Sequence, residues 1–148
     1  MPIHSLRRLH VIVPPRGEFD PGLKHWCRRI ATLAEQTACR VSVYGEERTL
    51  RAVEGAWQAE RRSLSADFHK FTPAEGLAGV AARTRPDHMA VFVLARRGMP
   101  SYHRRLEDIP GQLERYFSAR SWMLIVPAAL GSSSSSADGR NALTLSDR

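Results

Sequence analysis

Residues 89–95 form a near-continuous apolar run, Met-Ala-Val-Phe-Val-Leu-Ala. A short run of this kind is typical of a central strand in a parallel sheet, because helices cover both faces of such a strand. The run therefore predicts an α/β fold with this segment near the middle of the sheet. The loop that follows would lie at the carboxyl edge of the sheet, where open α/β sheets bind their ligands.

The rest of the chain alternates between strand and helix patterns. Strands are predicted over residues 9–13, 40–44, 64–71, 87–94 and 121–126, and the pattern is weakest in 64–71. Between the strands, apolar residues recur at helical spacing. This βαβαβαβαβ order predicts a five-stranded parallel sheet in the order 3-2-1-4-5, with right-handed crossovers and helices on both faces.

Two helix starts are marked by capping residues. Asp20 precedes Pro21, which predicts an N-cap followed by a proline in the first turn of the first helix. Thr72, Pro73 and Glu75 predict a similar start for the third helix. Both starts agree with the helix positions that the apolar spacing predicts.

The length and composition indicate one folded domain with a tail. The chain has 148 residues, of which 43% are hydrophobic and 25% charged, and we expect neither a membrane span nor a signal segment in it. We expect one cytoplasmic domain over residues 1–127. Five serines at 132–136 change the composition abruptly, so residues 128–148 are predicted to form a flexible tail.

The chain is basic, with a formal net charge of +7. Arginine greatly outnumbers lysine, which occurs only at Lys24 and Lys70. This charge favours anionic partners such as nucleic acid, anionic lipid surfaces or nucleotides. The arginines are spread along the whole chain, so we expect no dedicated nucleic-acid-binding module.

The loop after the fourth predicted strand is the main candidate site. Guanidinium groups bind phosphates and carboxylates through paired hydrogen bonds, and several arginines lie in this loop. Arg16 would lie beside it, because strands one and four are neighbours in the predicted sheet. The predicted anion or nucleotide site comprises Arg16, Arg96, Arg97, Gly98, Ser101, Tyr102, His103 and Arg104, with Arg105 next to them. A solvated loop without a ligand is the alternative interpretation.

The sequence offers little for metal binding or catalysis. The six histidines include no pair at ligand spacing on one predicted element, and Cys27 and Cys39 belong to no metal-binding motif. Ser101 and His103 lie two residues apart on a loop without an acidic partner, which does not define a nucleophile and its base. We therefore expect no metal site, no cofactor other than a nucleotide ligand, and no enzymatic activity.

Several segments resemble one known family. They are Leu-Arg-Arg-Leu-His-Val-Ile-Val-Pro-Pro-Arg at 6–16, Phe-Val-Leu-Ala-Arg-Arg-Gly at 92–98, Ser-Tyr-His at 101–103, Ile-Pro at 109–110 and Trp-Met-Leu-Ile-Val-Pro at 122–127. Over residues 6–127 the chain resembles the cytoplasmic C-terminal domain of certain bacterial sodium/proton (cation/proton) antiporters. Those domains are similar to universal stress proteins, which have the adenine nucleotide alpha hydrolase-like fold with a five-stranded parallel sheet.

The chain differs from the nucleotide-binding universal stress proteins at three places. Their GxxG motif after strand four is reduced to Ala-Arg-Arg-Gly at 95–98, and their acidic residue after strand one is replaced by prolines at 14–15. Asp108 and Pro110 stand where their last helix opens with glycine and a hydroxyl residue. We expect Asp108 to cap this helix and Pro110 to remove an N–H, so that a phosphate would bind the loop arginines instead of the helix N-terminus.

The resemblance implies a function. The chain is expected to be a non-enzymatic regulatory domain, attached to or acting on an antiporter at the inner face of the cell membrane. The alternative is a free-standing universal stress-type protein that binds a nucleotide. Universal stress proteins commonly dimerise through their last strand, and the apolar edge from Ser121 to Val126 predicts a homodimer of the same kind here.

Overall fold

A computed structural model describes residues 6–70 and 76–127. These residues form one sheet of five parallel strands in the order 3-2-1-4-5. The strands are β1 (Arg8–Ile12), β2 (Arg40–Gly45), β3 (Ser65–Lys70), β4 (His88–Val93) and β5 (Ser121–Ile125). The fold class and the strand order predicted from the sequence are confirmed.

A helix follows each of the first four strands. They are α1 (Leu23–Thr37), α2 (Glu47–Ala59), α3 (Gly76–Arg83) and α4 (Ile109–Tyr116). The buried residues of α1 and α2 join one apolar cluster, and those of α3 and α4 join another. The helices therefore cover both faces of the sheet, as the sequence predicts.

Side chains of the central strands alternate between these two clusters. In β1, Val11 belongs to the cluster under α1 and α2, whereas Ile12 belongs to the cluster under α3 and α4. In β4, Val91 and Phe92 divide in the same way. This alternation is the reason for the continuous apolar run at 89–95, because a strand buried on both faces needs an apolar side chain at every position.

The first helix does not start as predicted. It begins at Leu23, with Gly22 in the N-cap position and no side-chain cap hydrogen bond. The prediction that Asp20 caps α1 is therefore wrong. The Asp20 carboxylate instead accepts hydrogen bonds from Ser101, in the loop after β4.

The last helix also lacks the predicted cap. A 3-10 helix over Arg104–Asp108 leads directly into α4, and Asp108 makes no side-chain cap hydrogen bond. The N–H of Ile109 donates to the carbonyl oxygen of Leu106 within this 3-10 turn. The prediction that Asp108 caps α4 is therefore wrong, because the preceding turn engages the first N–H of that helix.

Two other predictions fall outside the described residues. They concern the capping segment at 72–75 and the serine-rich tail at 128–148. Within 6–70 and 76–127, no helix is both long enough and apolar enough to cross a membrane.

Candidate ligand-binding cleft

A cleft of about 690 Å³ lies at the carboxyl edge of β1 and β2. The chain leaves β1 toward β2 and β3 on one side of the sheet, and returns to β4 and β5 on the other. The cleft is therefore at the end of the sheet, beside its topological switch point, where open α/β sheets bind ligands. Its volume falls within the roughly 300 to 1,000 Å³ typical of small-molecule sites.

The walls of the cleft are largely apolar and come from four parts of the chain. The apolar lining residues are Ile12, Val13, Pro15, Leu77, Leu106 and Ile109. The first three belong to β1 and the segment after it, Leu77 to the first turn of α3, and the last two to the 3-10 helix and α4. Such walls suit the apolar body of an organic ligand.

The polar groups of the cleft are few and divided by charge. Arg104, Arg105 and His103 line the cleft from the 3-10 segment, and both arginines are exposed. Glu46 lines it from the end of β2, and Gln112 from α4. A ligand that uses both sides would therefore carry an anionic group toward the arginines and hydrogen-bond donors toward the glutamate.

The structure separates the arginines of the predicted basic loop. Arg96 Nε donates to the carbonyl oxygen of Pro127 at 3.0 Å, near the end of β5. Arg97 donates to the Glu107 carboxylate on the outer surface, and this hydrogen bond raises the pKa of Arg97 and lowers the pKa of Glu107. Among the described residues, those that line the cleft do not include Arg96 or Arg97. The predicted loop arginines therefore do not converge on one point.

Ser101 fixes the shape of this loop. It is buried, its N–H donates to Asp20 Oδ1 at 3.0 Å, and its hydroxyl donates to Asp20 Oδ2. Gly98 has a φ of +87°, which glycine adopts without strain, so the loop can turn there. The hydrogen bonds between Ser101 and Asp20 connect the loop after β4 to the loop after β1. Ser101 lies two residues before His103.

The other two predicted residues lie outside the cleft lining. Arg16 has its guanidinium carbon 5.9 Å from the centre of the Phe19 ring. Tyr102 is half-buried and takes part in the hydrogen bonding of Arg97 and Glu107. Of the residues predicted from the sequence, His103 and Arg104 are thus the ones that line the cleft, together with the neighbouring Arg105.

The sequence contained a signal for one residue that our prediction missed. Glu46 follows Gly45 directly at the end of β2, so it lies at the same edge of the sheet as the ends of β1 and β4. Carboxyl ends of neighbouring parallel strands always meet at one edge. Leu77 and Gln112 carry no such signal, because their positions depend on how α3 and α4 pack.

A polar cluster that the sequence did not reveal lies beneath α3 and α4. His10 of β1 is within 2.9 Å of both the Tyr44 hydroxyl of β2 and Nδ1 of His88 in β4. The three residues come from three strands, so no spacing within one element could relate them. The parallel register places Arg8 opposite His88. His10 lies two residues after Arg8 and so on the same face of the sheet, which makes it a diagonal neighbour of His88.

The two cysteine side chains lie within the fold. Cys27 and Cys39 are both free and buried, and burial raises the pKa of the Cys27 thiol, which keeps it protonated. In residues 6–70 and 76–127, no three or more histidine, cysteine or acidic side chains are grouped so that they could hold a metal ion. The polar side chains that the cleft offers to a ligand are those of Arg104, Arg105, His103, Glu46 and Gln112.

Comparisons with protein families, with curated proteins and with solved structures gave no match to this chain.

Proposed function

We propose that this chain is a non-enzymatic regulatory domain that binds a small organic anion in the cleft. The observation that carries the proposal is the position of Arg104 and Arg105 beside an apolar wall at the carboxyl edge of β1. Exposed guanidinium groups attract an anion and pair with it in a defined geometry. Among the described lining residues no serine, threonine, cysteine or lysine nucleophile accompanies His103, so we expect binding instead of turnover.

A nucleotide fits the division of charge in the cleft. Its phosphate would bind Arg104 and Arg105, its base would lie against the apolar walls, and its ribose hydroxyls would donate to Glu46. An acidic residue at the end of the second strand binds ribose hydroxyls in other doubly wound folds. The phosphate would then bind arginine side chains and not the start of α4, where Ile109 already donates to Leu106 and Pro110 has no N–H.

The partner of the domain is a cation/proton antiporter in this proposal. The support is the resemblance of residues 92–98 and 122–127 to the cytoplasmic domains of such antiporters. The domain would lie in the cytoplasm at the inner face of the cell membrane. A ligand would regulate transport by binding one arrangement of the domain and its partner more tightly than another, because only differential affinity shifts a conformational equilibrium.

Isothermal titration calorimetry with AMP, cyclic AMP, ATP and inorganic phosphate tests the ligand. We expect AMP to bind the purified chain, and replacing both Arg104 and Arg105 with alanine to weaken that binding at least tenfold. Raising the salt concentration should weaken it as well, because exposed charges are screened. We expect ATP to bind more weakly than AMP, since two arginines do not neutralise a triphosphate.

The matched control replaces Arg51 and Arg115 with alanine. Both are exposed and lie outside the cleft lining, and the change in net charge is the same. This control should bind AMP as the unmodified chain does. Equal loss of affinity in both double variants, or tight binding that survives the loss of Arg104 and Arg105, would contradict the proposal.

A free-standing nucleotide-binding protein of the universal stress type is the second candidate. The observation that favours it is Glu46 in the cleft, since ribose recognition requires no membrane partner. Sodium/proton exchange in inverted membrane vesicles from the source organism separates the two. A ligand-dependent change in exchange on adding the chain supports the regulatory function, and an unchanged rate despite AMP binding supports the free-standing protein.

A further inference from the structure

His10 and His88 form a hydrogen-bonded pair within the fold. His10 is only 3% exposed, and its Nε2 lies 2.9 Å from Nδ1 of His88. The other ring nitrogen of His10, Nδ1, lies 2.9 Å from the Tyr44 hydroxyl. His88 is the first residue of β4 and follows the short turn after α3. The pair therefore links β1 to the junction between α3 and β4.

The charged and titratable groups around this pair come from each described element packed against it. They are Arg8 of β1, Tyr44 of β2, Asp67 and His69 of β3, Arg83 of α3, and Arg85 and Asp87 of the turn before β4. The arginines disfavour positive charge on the histidines. Asp87 favours it on His88, because its carboxylate lies 3.6 Å from His88 Nε2. Asp67 is already engaged by Ser42 and His69.

Two neutral rings satisfy this geometry. His88 then carries its proton on Nε2, toward Asp87, and its Nδ1 accepts from the Nε2–H of His10. The Nδ1 of His10 accepts from the Tyr44 hydroxyl. A single added proton is also tolerated, because the charged ring can still donate to the bare nitrogen of the neutral one.

A second added proton cannot be accommodated. Both facing nitrogens would then carry hydrogen, so neither could accept, and two cations would lie 2.9 Å apart. His88 is the ring that can move away from the pair, because its side chain is partly exposed whereas His10 is buried.

We propose that the pair of His10 and His88 is a proton-responsive joint, which holds the α3–β4 junction against the sheet when neutral and releases it when both rings are charged. The domain would thereby sense acid pH independently of any ligand in the cleft. Burial, then the charges of His88 and Arg8, lower the pKa of His10 to about 4, and burial also lowers the pKa of His88. Release is therefore expected well below neutral pH.

Nuclear magnetic resonance of the full chain tests the proposal. Ring signals of His10 and His88 would be followed from pH 7.5 to pH 3.5, together with amide exchange protection over residues 83–90. We expect His88 to take up the first proton and His10 the second. Protection at 83–90 should fall at least tenfold as His10 titrates. Titration of His10 at its ordinary pKa near 6.5, or titration without loss of protection, would overturn the proposal.

A variant separates the histidine pair from general acid unfolding. In His88→Asn the amide oxygen can still accept from His10 Nε2, but residue 88 cannot become charged. This variant should keep its protection at the pH where the unmodified chain loses it. The control His25→Asn, at an exposed position on α1, should behave as the unmodified chain does. Equal loss of protection in His88→Asn would contradict the proposal. If that variant is not folded by circular dichroism, the titration of the unmodified chain decides.

Discussion

Ser101 gives both of its hydrogen-bond donors to one carboxylate. Its N–H and its hydroxyl both donate to Asp20, although the two residues lie 81 positions apart in the sequence. Because Ser101 is buried, neither donor could turn to water if the carboxylate were removed. This contact therefore helps to position His103 and Arg104 at the cleft, although Ser101 and Asp20 do not line it.

We predict that Asp20→Ala lowers the free energy of unfolding by about 1 to 3 kcal/mol, the cost of leaving buried donors unpaired. It should also weaken AMP binding by loosening the loop. Urea denaturation measures the first effect and calorimetry the second. The control is Asp108→Ala, which removes an exposed carboxylate without a cap hydrogen bond and should change stability by less than about 0.5 kcal/mol. Equal stability of the two variants would contradict this account of Asp20.

His10 makes the stability of the fold depend on pH. Its pKa is lowered from 6.5 to about 4 in the folded state, so between these values the unfolded chain binds the proton more strongly. Stability from this group is fully present above pH 6.5 and is lost as the pH falls toward 4, by on the order of 3 kcal/mol. Urea denaturation at several pH values measures it. The pH dependence should be clearly smaller in His10→Gln, and an unchanged dependence would count against this assignment.

The contacts of single residues were harder to predict from the sequence than the helices and strands. Asp20 and Asp108 each precede a helix and a proline, which is the usual pattern of an N-cap. Long-range packing decided otherwise, because Ser101 takes up Asp20 and a 3-10 turn runs into α4. The buried position and pairing of His10 have no local sequence signal, since its partners lie on other strands.

Elements were more predictable, because their patterns are local. The ends of the observed strands lie within one residue of the ends of the predicted segments. The alternation of their side chains between two apolar clusters accounts for the run at 89–95. Even the weak pattern at 64–71 was informative. β3 is an edge strand with mostly exposed side chains, so it needs fewer apolar residues than a central strand.

The other edge of the sheet is β5, and the backbone groups on its outer side predict a contact with another strand. The carbonyl oxygen of Ile125 accepts a hydrogen bond from the N–H of Leu94, so the backbone groups of Ile125 face β4. Backbone groups of successive residues in a strand face opposite sides, so those of Trp122 and Leu124 face away from the sheet. Both side chains are apolar and only partly buried. A second copy of the chain could pair with this edge, which is the homodimer predicted from the sequence.

We predict a concentration-dependent dimer by sedimentation velocity, and a shift of at least tenfold toward monomer in Leu124→Lys. A lysine on a strand edge adds a charge that must be desolvated when two edges pair. The comparison variant Ser65→Lys places the same charge on the opposite edge, in β3, and should dimerise normally. A strictly monomeric unmodified chain at high concentration would rule out this dimer.

At the scale of the whole molecule, topology brings distant residues to one site. The order 3-2-1-4-5 places the ends of β1 and β2 beside the 3-10 segment that follows β4, and the cleft lies among them. Of the site residues predicted from the sequence, His103 and Arg104 line this cleft, and their role in binding stays a prediction. The sequence did not predict that Arg96 and Arg97 lie outside the cleft lining, because their partners, Pro127 and Glu107, depend on how the loop folds back.

The most direct test of the central claim is a titration of the isotopically labelled chain with AMP, observed through backbone amide shifts. AMP should first shift the amide signals of residues at the cleft, namely Val13, Glu46, Leu77, Arg104 and Gln112. Inorganic phosphate should shift the same signals less. These positions belong to five different parts of the chain, which meet at the cleft. Saturable shifts confined to them would support the account. Shifts centred on Arg97 and Glu107, or no shifts at millimolar AMP, would contradict it.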